Sequence, residues 1–283
     1  MFDSKKLVML AGAILLSAQV VRADVVYRET FSNTAGAANT NFNFVGWEGY
    51  WSPTAQTTDQ GNTTGLYNNF GIGSSLGRPS GLDNVNAGAN VGNTNGFAFS
   101  SGFLSVSNNI LTYTSEYTVN PAVWSVGSIS FYSGNTSNNP NAYVNNIPTW
   151  RIAVQIDGNW YVSSTQLVQT INIANAAGFA SSGQQLVFNW TTAASAWLNL
   201  DFVPGTTLAV GGPVGSDLPN DPITAFGLYS DPSVNTNGLW NATATRRWDT
   251  FQIDGTAIPE PSTVALVFIS LGALLGLARS RKA

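Results

Sequence analysis

Cysteine and histidine are both absent from this 283-residue chain. Without cysteine no disulfide can staple it and no thiol can serve as a nucleophile. Without histidine a Ser-His-Asp arrangement cannot be assembled, and the two absences together remove the usual ligands of zinc. Charge is sparse, at 9% of residues, and unevenly signed: between Asp24 and Ile258 thirteen acidic residues stand against five basic ones, all arginine. Such an acidic segment, with no lysine, offers phosphate backbones no electrostatic footprint, which excludes nucleic acid as a partner. Helical periodicity is scarce too. No long segment spaces its apolar residues at 3.6, although "LVQTINIANAAGF" has room for a turn or two of helix.

What the segment does have is aromatic residues and small polar ones. All nine tryptophans lie in it, which suits a core that must hold without disulfides. Its Asn, Ser, Thr and Gly favour turns and strands over solvated helices. Strands are marked by alternation. In "LTYTSEYTV", Leu111, Tyr113, Ser115, Tyr117 and Val119 share one face, and Thr112, Thr114, Glu116 and Thr118 the other. In "WRIAVQIDGNWYVSS", Trp150, Ile152, Val154 and Ile156 alternate with Arg151, Ala153, Gln155 and Asp157; Asp157-Gly158 supplies a tight hairpin turn, and Trp160 and Val162 resume the alternation. "VVYRETF", "VGSISFY", "QQLVFNW", "AWLNLDF", "ITAFGLY" and "WDTFQID" are further short strands bounded by turn formers. The fold class expected is all-β, an antiparallel β-sandwich of jelly-roll type, with long Asn/Gly/Thr-rich loops and a few short strands between Thr34 and Asn95.

The two ends carry addresses. Lys5 and Lys6, the apolar stretch Leu7 to Leu16 and Val21-Arg22-Ala23 have the order of a secretory signal peptide, expected over residues 1–23 as a short helix. At the other end Pro259-Glu260-Pro261 precedes an apolar run closed by Arg279, Arg281 and Lys282. Prolines break a helix and leave an extended segment, and basic residues after the run keep that side cytoplasmic, so the tail is expected to engage the membrane through a helix over 263–278. In the order of its parts this tail resembles the PEP-CTERM sorting signal of exported bacterial proteins. The resemblance implies an exosortase-type processing enzyme as partner, cleavage near the Pro-Glu-Pro, and delivery to the cell surface or extracellular matrix. A permanent anchor is the alternative. The division expected is 1–23 signal peptide, 24–257 exported domain and 258–283 sorting signal. More loosely, "VVYRETFSN" and "RRWDTFQIDG" resemble the first and last strands of concanavalin-like and laminin-G-like jelly rolls, which implies that they lie side by side.

Candidate chemistry is thin. Gly73-Ser74-Ser75-Leu76-Gly77 fits G-x-S-x-G, but that elbow needs a histidine base. Glycoside hydrolysis needs only two carboxyl groups at a set separation, and Glu116 with Asp201 is the pair to consider. Asp217, Asp221 and Asp231 lie in Pro/Gly-rich stretches and offer oxygen ligands to calcium, with turn formation the stronger reading. No other cofactor or metal is expected. "GWEGYW" places Trp47, Tyr50 and Trp51 beside Glu48, a set that reads first as core packing and second as a platform for a sugar ring. Trp150, Trp160 and Trp190 read as core. The function expected is that of a noncatalytic exported surface or matrix protein. A carbohydrate-binding module, with polysaccharide as partner, and a jelly-roll glycoside hydrolase or lyase are the alternatives.

Overall fold

The computed structural model describes residues 23–31, 45–52, 70–74, 96–101, 109–136, 149–168, 184–231 and 245–259. Among the described residues everything regular is strand, apart from one 3-10 turn at Ala194–Ala196. All strand pairings among the described residues are antiparallel, so the all-β, antiparallel part of the expectation stands.

The first sheet is built on its longest strands. It contains β1 (Asp24–Glu29), β3 (Phe70–Ser74), β4 (Gly96–Ser101), β6 (Trp124–Thr136), β10 (Gln184–Asn189) and β14 (Thr245–Ala257), in the order β10-β6-β14-β4-β3. Strand β14 is its spine. Along one side it pairs with β6, and along the other first with β4 and then with β1, where Asp24 stands opposite Gly255. The two ends of the domain therefore lie side by side.

β14 also shows how a local defect serves the core. Trp248 and Phe251 are both fully buried although three residues apart, which plain alternation forbids. The register slips between Asp249 and Gln252, and Thr250 sits in the left-handed region at φ 47°. This bulge inverts the side-chain parity and sends Phe251 and Ile253 to the same face as Trp248.

The second sheet contains β2 (Trp47–Ser52), β5 (Asn109–Thr114), β7 (Thr149–Ile156), β8 (Asn159–Ser163), β9 (Leu167–Val168), β11 (Trp197–Val203), β12 (Thr207–Pro213) and β13 (Ile223–Ser230). Its order is β12-β11-β8-β7-β13-β5-β2, with β9 also beside β7. Strand β12 approaches β2 and β5 at the opposite edge, so this sheet curls strongly.

One core fills the space between the sheets. Trp47, Trp150, Trp197 and Trp248 are all completely buried in it, beside Phe31, Phe131 and Phe251. The indole N–H of Trp150 donates to Ser133 Oγ at 2.8 Å, one hydrogen bond from sheet to sheet. A second core occupies the concave side of the curled sheet, where Tyr50, Leu111, Tyr113, Val162, Leu200 and Leu208 are buried.

Two sequence readings change here. The hairpin forms as expected, with Asp157 at φ 49° and Gly158 at φ 74°. A two-residue turn puts Ile156 opposite Asn159, however, so Tyr161 shares the inner face with Val154 while Trp160 and Val162 pass to the concave side. "LTYTSEYTV" is not one half-buried strand: β5 ends at Thr114, and both of its faces are buried, Thr112 and Thr114 included. Of "LVQTINIANAAGF", only Leu167 and Val168 are described, as β9. Residues 1–22 and 260–283 lie outside the described residues, and with them the expected signal helix and membrane helix. Among the described residues no helix is long and apolar enough to cross a membrane.

Candidate functional site

"GWEGYW" forms the edge strand β2 from Trp47 onward. Trp47 opens β2 with its side chain between the sheets, 0% exposed, edge-on to Phe31 at 5.0 Å and to Phe251 at 5.2 Å. Its Nε1 donates to the hydroxyl of Tyr27 at 3.1 Å. An indole so enclosed has no face left for a sugar; of the two readings of Trp47, core packing, the first, is what the structure has, and the platform, the second, is set aside at this residue. Alternation then sends Glu48 and Tyr50 to the concave side. Trp51 pairs its backbone with Ile110, and its side chain lies outside what the structure describes.

Glu48 organises the concave cluster. The hydroxyls of Tyr50 and Tyr113 both donate to Glu48 Oε2, each at 2.7 Å. The two rings stack at 5.9 Å, Trp160 meets Tyr113 edge-on at 4.8 Å, and Phe202 meets Tyr50 at 4.9 Å. Burial, reinforced by Glu48, holds the Tyr113 phenol far above the ordinary tyrosine range. The arrangement sets a polar edge over the buried apolar cluster.

The other candidate residues disperse. Asp201 is exposed on β11, while Glu116 lies just beyond β5, three intervening strands away in the sheet order, and no hydrogen bond or ion pair joins them. Asp217 Oδ1 accepts from the N–H of Ala194 at 2.9 Å and so caps the 3-10 turn. Asp231 forms an ion pair with Arg151 at 3.1 Å, and its carbonyl accepts from Arg246 Nη2 at 2.9 Å. Burial pulls the Arg246 guanidinium down to about 9, against the opposing pull of Asp231. Among the described residues no three acidic side chains come together as a metal site. Pro259 is exposed; Glu260, Pro261, Arg279, Arg281 and Lys282 lie outside the described residues.

An open cleft of about 350 Å³ lies elsewhere, at one end of the sandwich. Its floor is aliphatic and buried: Val119, Ile156 and Ile223. Its walls carry two half-buried indoles, Trp124 from the start of β6 and Trp190 just after β10. Its rim is exposed and polar, with Ser125, Thr192, Asn220 and Asp221. The walls are tied by backbone hydrogen bonds. Val119 and Ile223 exchange two, at 3.0 and 2.9 Å; Trp190 N–H donates to Gly127 at 3.0 Å; Leu218 N–H donates to Thr192 at 2.8 Å. Trp197 braces the Trp190 ring edge-on at 5.3 Å. Ile258 completes the lining, and its N–H donates to the Val123 carbonyl at 2.7 Å.

Sequence reading missed this cleft. Trp190 read as core, and Trp124 drew no attention. Their only signal is position: each stands at a strand end, where a ring meets both core and solvent.

No protein-family profile and no curated protein matches the chain. Among solved structures, the chain is similar to a family 11 carbohydrate-binding module from a cellulosomal cellulase of Clostridium thermocellum. Identity is 14%, coverage 83% of this chain and 97% of that one, and the TM-score 0.34. It is also similar to the N-terminal endo-1,4-β-D-xylanase 10B modules of the same organism, solved with xylohexaose, at 9% identity, 79% coverage and a TM-score of 0.31. This chain spans 28% of that one. A third likeness is to the binding domain of Paraclostridial Mosquitocidal Protein 1, at 17% identity, 79% and 51% coverage and a TM-score of 0.27. At these scores the likenesses are coarse resemblances between β folds and assign no role to any residue.

Proposed function

We propose that this chain is an exported, noncatalytic β-sandwich of the bacterial cell surface or extracellular matrix, delivered and released through its Pro-Glu-Pro tail. The observation that carries the reading is where the domain stops. Strand β14 runs to Ala257, Ile258 makes the last backbone hydrogen bond among the described residues, to Val123, and Pro259 is already exposed. An exosortase-type enzyme cutting near Pro259-Glu260-Pro261 would part the domain from the segment 263–278 without taking a ladder bond from β14, which ends at Ala257.

The test is the intact mass of the protein recovered from producing cells. A C-terminus between Pro259 and Thr263 is the expected result, and Pro259→Ala with Pro261→Ala should leave the protein at full length in the membrane fraction. A wild-type protein that keeps Ala283 would replace this reading with a permanent anchor. A second reading, contact with polysaccharide, is favoured by the cleft between Trp124 and Trp190 and not by the Trp47 segment.

A further inference from the structure

We propose that the end cleft is a binding site for one or two sugar rings of a neutral saccharide, taken at a chain end or a side branch. The inference is independent of the tail, because a protein left at full length presents the same cleft.

The gradation of its lining carries the argument. A sugar ring has an apolar C–H face and an equator of hydroxyls, and it needs both kinds of surface at once. The buried aliphatic floor and the faces of Trp124 and Trp190 serve the first. The hydroxyls of Ser125 and Thr192, the amide of Asn220 and the carboxylate of Asp221 serve the second. A purely apolar ligand would leave that rim without partners. Among the described residues no lysine or arginine lines the cleft and Asp221 does, so phosphates, sulfates and uronic acids meet a carboxylate there rather than a described cation.

Size sets the length of the ligand. About 350 Å³ is near the lower bound of small-molecule sites, which run from about 300 to 1,000 Å³. A long polysaccharide lying along its axis needs an extended groove, and the concave face that might have formed one is filled by Tyr50, Leu208 and their neighbours. The walls are held before any ligand arrives by the backbone bonds at Val119, Trp190, Leu218 and Ile258. Little ordering is therefore left to oppose binding.

The experiment is isothermal titration of the protein purified from producing cells with glucose, cellobiose, cellohexaose, xylohexaose and N,N′-diacetylchitobiose. At least one disaccharide or hexaose should bind, with affinity changing less than threefold between disaccharide and hexaose of the same sugar. Trp190→Ala and Trp124→Ala should each weaken binding at least tenfold. Asp221→Ala and Asn220→Ala, exposed positions that leave the core untouched, should weaken it about threefold to tenfold. Trp160→Ala, on the concave side, should leave it unchanged. Failure of the whole panel at millimolar concentration overturns the proposal. So does binding that survives Asp221→Ala and Trp190→Ala together, or affinity that climbs steadily with chain length. None of these results bears on where the tail is cut.

Discussion

Between the two sheets, four tryptophans meet edge-on with phenylalanines and only scattered polar contacts, of which Trp150 to Ser133 is one. On the opposite side of the curled sheet, tyrosines and aliphatic residues pack somewhat less deeply, around a carboxylate that collects two phenol hydroxyls. The first core is closed by a second sheet. The second is closed by the sheet itself, as β12 bends back toward β2 and β5. The difference teaches that a sheet can dry both faces with one partner layer if it curls, and that its self-made core then needs a polar seal at the seam.

The comparison can be broken hardest from the inter-sheet side. Trp150→Ala should lower stability by about 3–5 kcal/mol, read as the shift in urea midpoint. Phe202→Ala, half-buried on the concave side, should lower it by about half as much. Equal effects would mean that the two cores are not distinct in depth. Gly227 tests the seam of strands shared by both: a Cβ there would come within 1.9 Å of the Thr112 carbonyl oxygen and 2.6 Å of Tyr113 Cα. Gly227→Ala should therefore destabilise by about 1–3 kcal/mol, with little change in the m-value.

The polar seal is probed next. Tyr113→Phe removes one of the two donors to Glu48 and should lose about 1–2 kcal/mol. In a double-mutant cycle with Glu48→Gln that loss should shrink. A cycle that closes to zero coupling would show that the 2.7 Å contact contributes nothing.

Alkaline pH separates the cores in another way. Burial pushes Tyr27 up to about 12 and holds Tyr113, Tyr132 and Tyr229 above their ordinary value as well. The unfolded chain releases these protons near pH 10 while the folded chain keeps them. Their stabilisation is thus complete below pH 10 and is lost as pH rises toward 12 and beyond. Arg246 runs the other way: the folded guanidinium lets go near 9 and the unfolded one near 12.5, so its contribution rises across that window. Four groups against one predict a falling urea midpoint from pH 10 upward. Tyr113→Phe with Tyr229→Phe should flatten that fall more than Tyr27→Phe does, and the reverse order would place the main alkaline sensitivity between the sheets.

The smallest effect belongs to Glu29, whose carboxyl is raised by burial despite the N–H of Phe31 donating to its Oε1 at 2.6 Å. A raised acid favours the fold below its unfolded value and disfavours it once ionised. Glu29→Gln should add less than about 1 kcal/mol at pH 7 and nothing at pH 3.5, by thermal melting at the two pH values.

Much of this architecture was legible in the sequence because alternation and turn chemistry are local. β7, β8, β10, β11 and β13 follow from their patterns, and Asp157-Gly158 makes the expected turn. Trp160 was misplaced although the sequence contained the answer: across a two-residue turn, residues three apart share a face, and the parity flips. Trp248 and Phe251 were harder, since no pattern announces a bulge at a threonine. Least legible were the concave core and the end cleft. Both depend on long-range meetings, the curl that brings β12 to β2 and the pairing of β10 with β6 that brings the Trp190 and Trp124 strand ends together, and no stretch of neighbours encodes either.

The pairing of Asp24 with Gly255 gives the domain a direction of mechanical weakness. A pull that separates its two ends would peel β1 from β14 rung by rung, each rung loaded alone. A pull entering through Ile258 and resisted at the far end of the sheet would instead shear β14 along eleven paired positions of β6 at once. In an optical trap the second geometry should need a several-fold higher force, so that a domain towed by its tail holds where one stretched between its termini gives way.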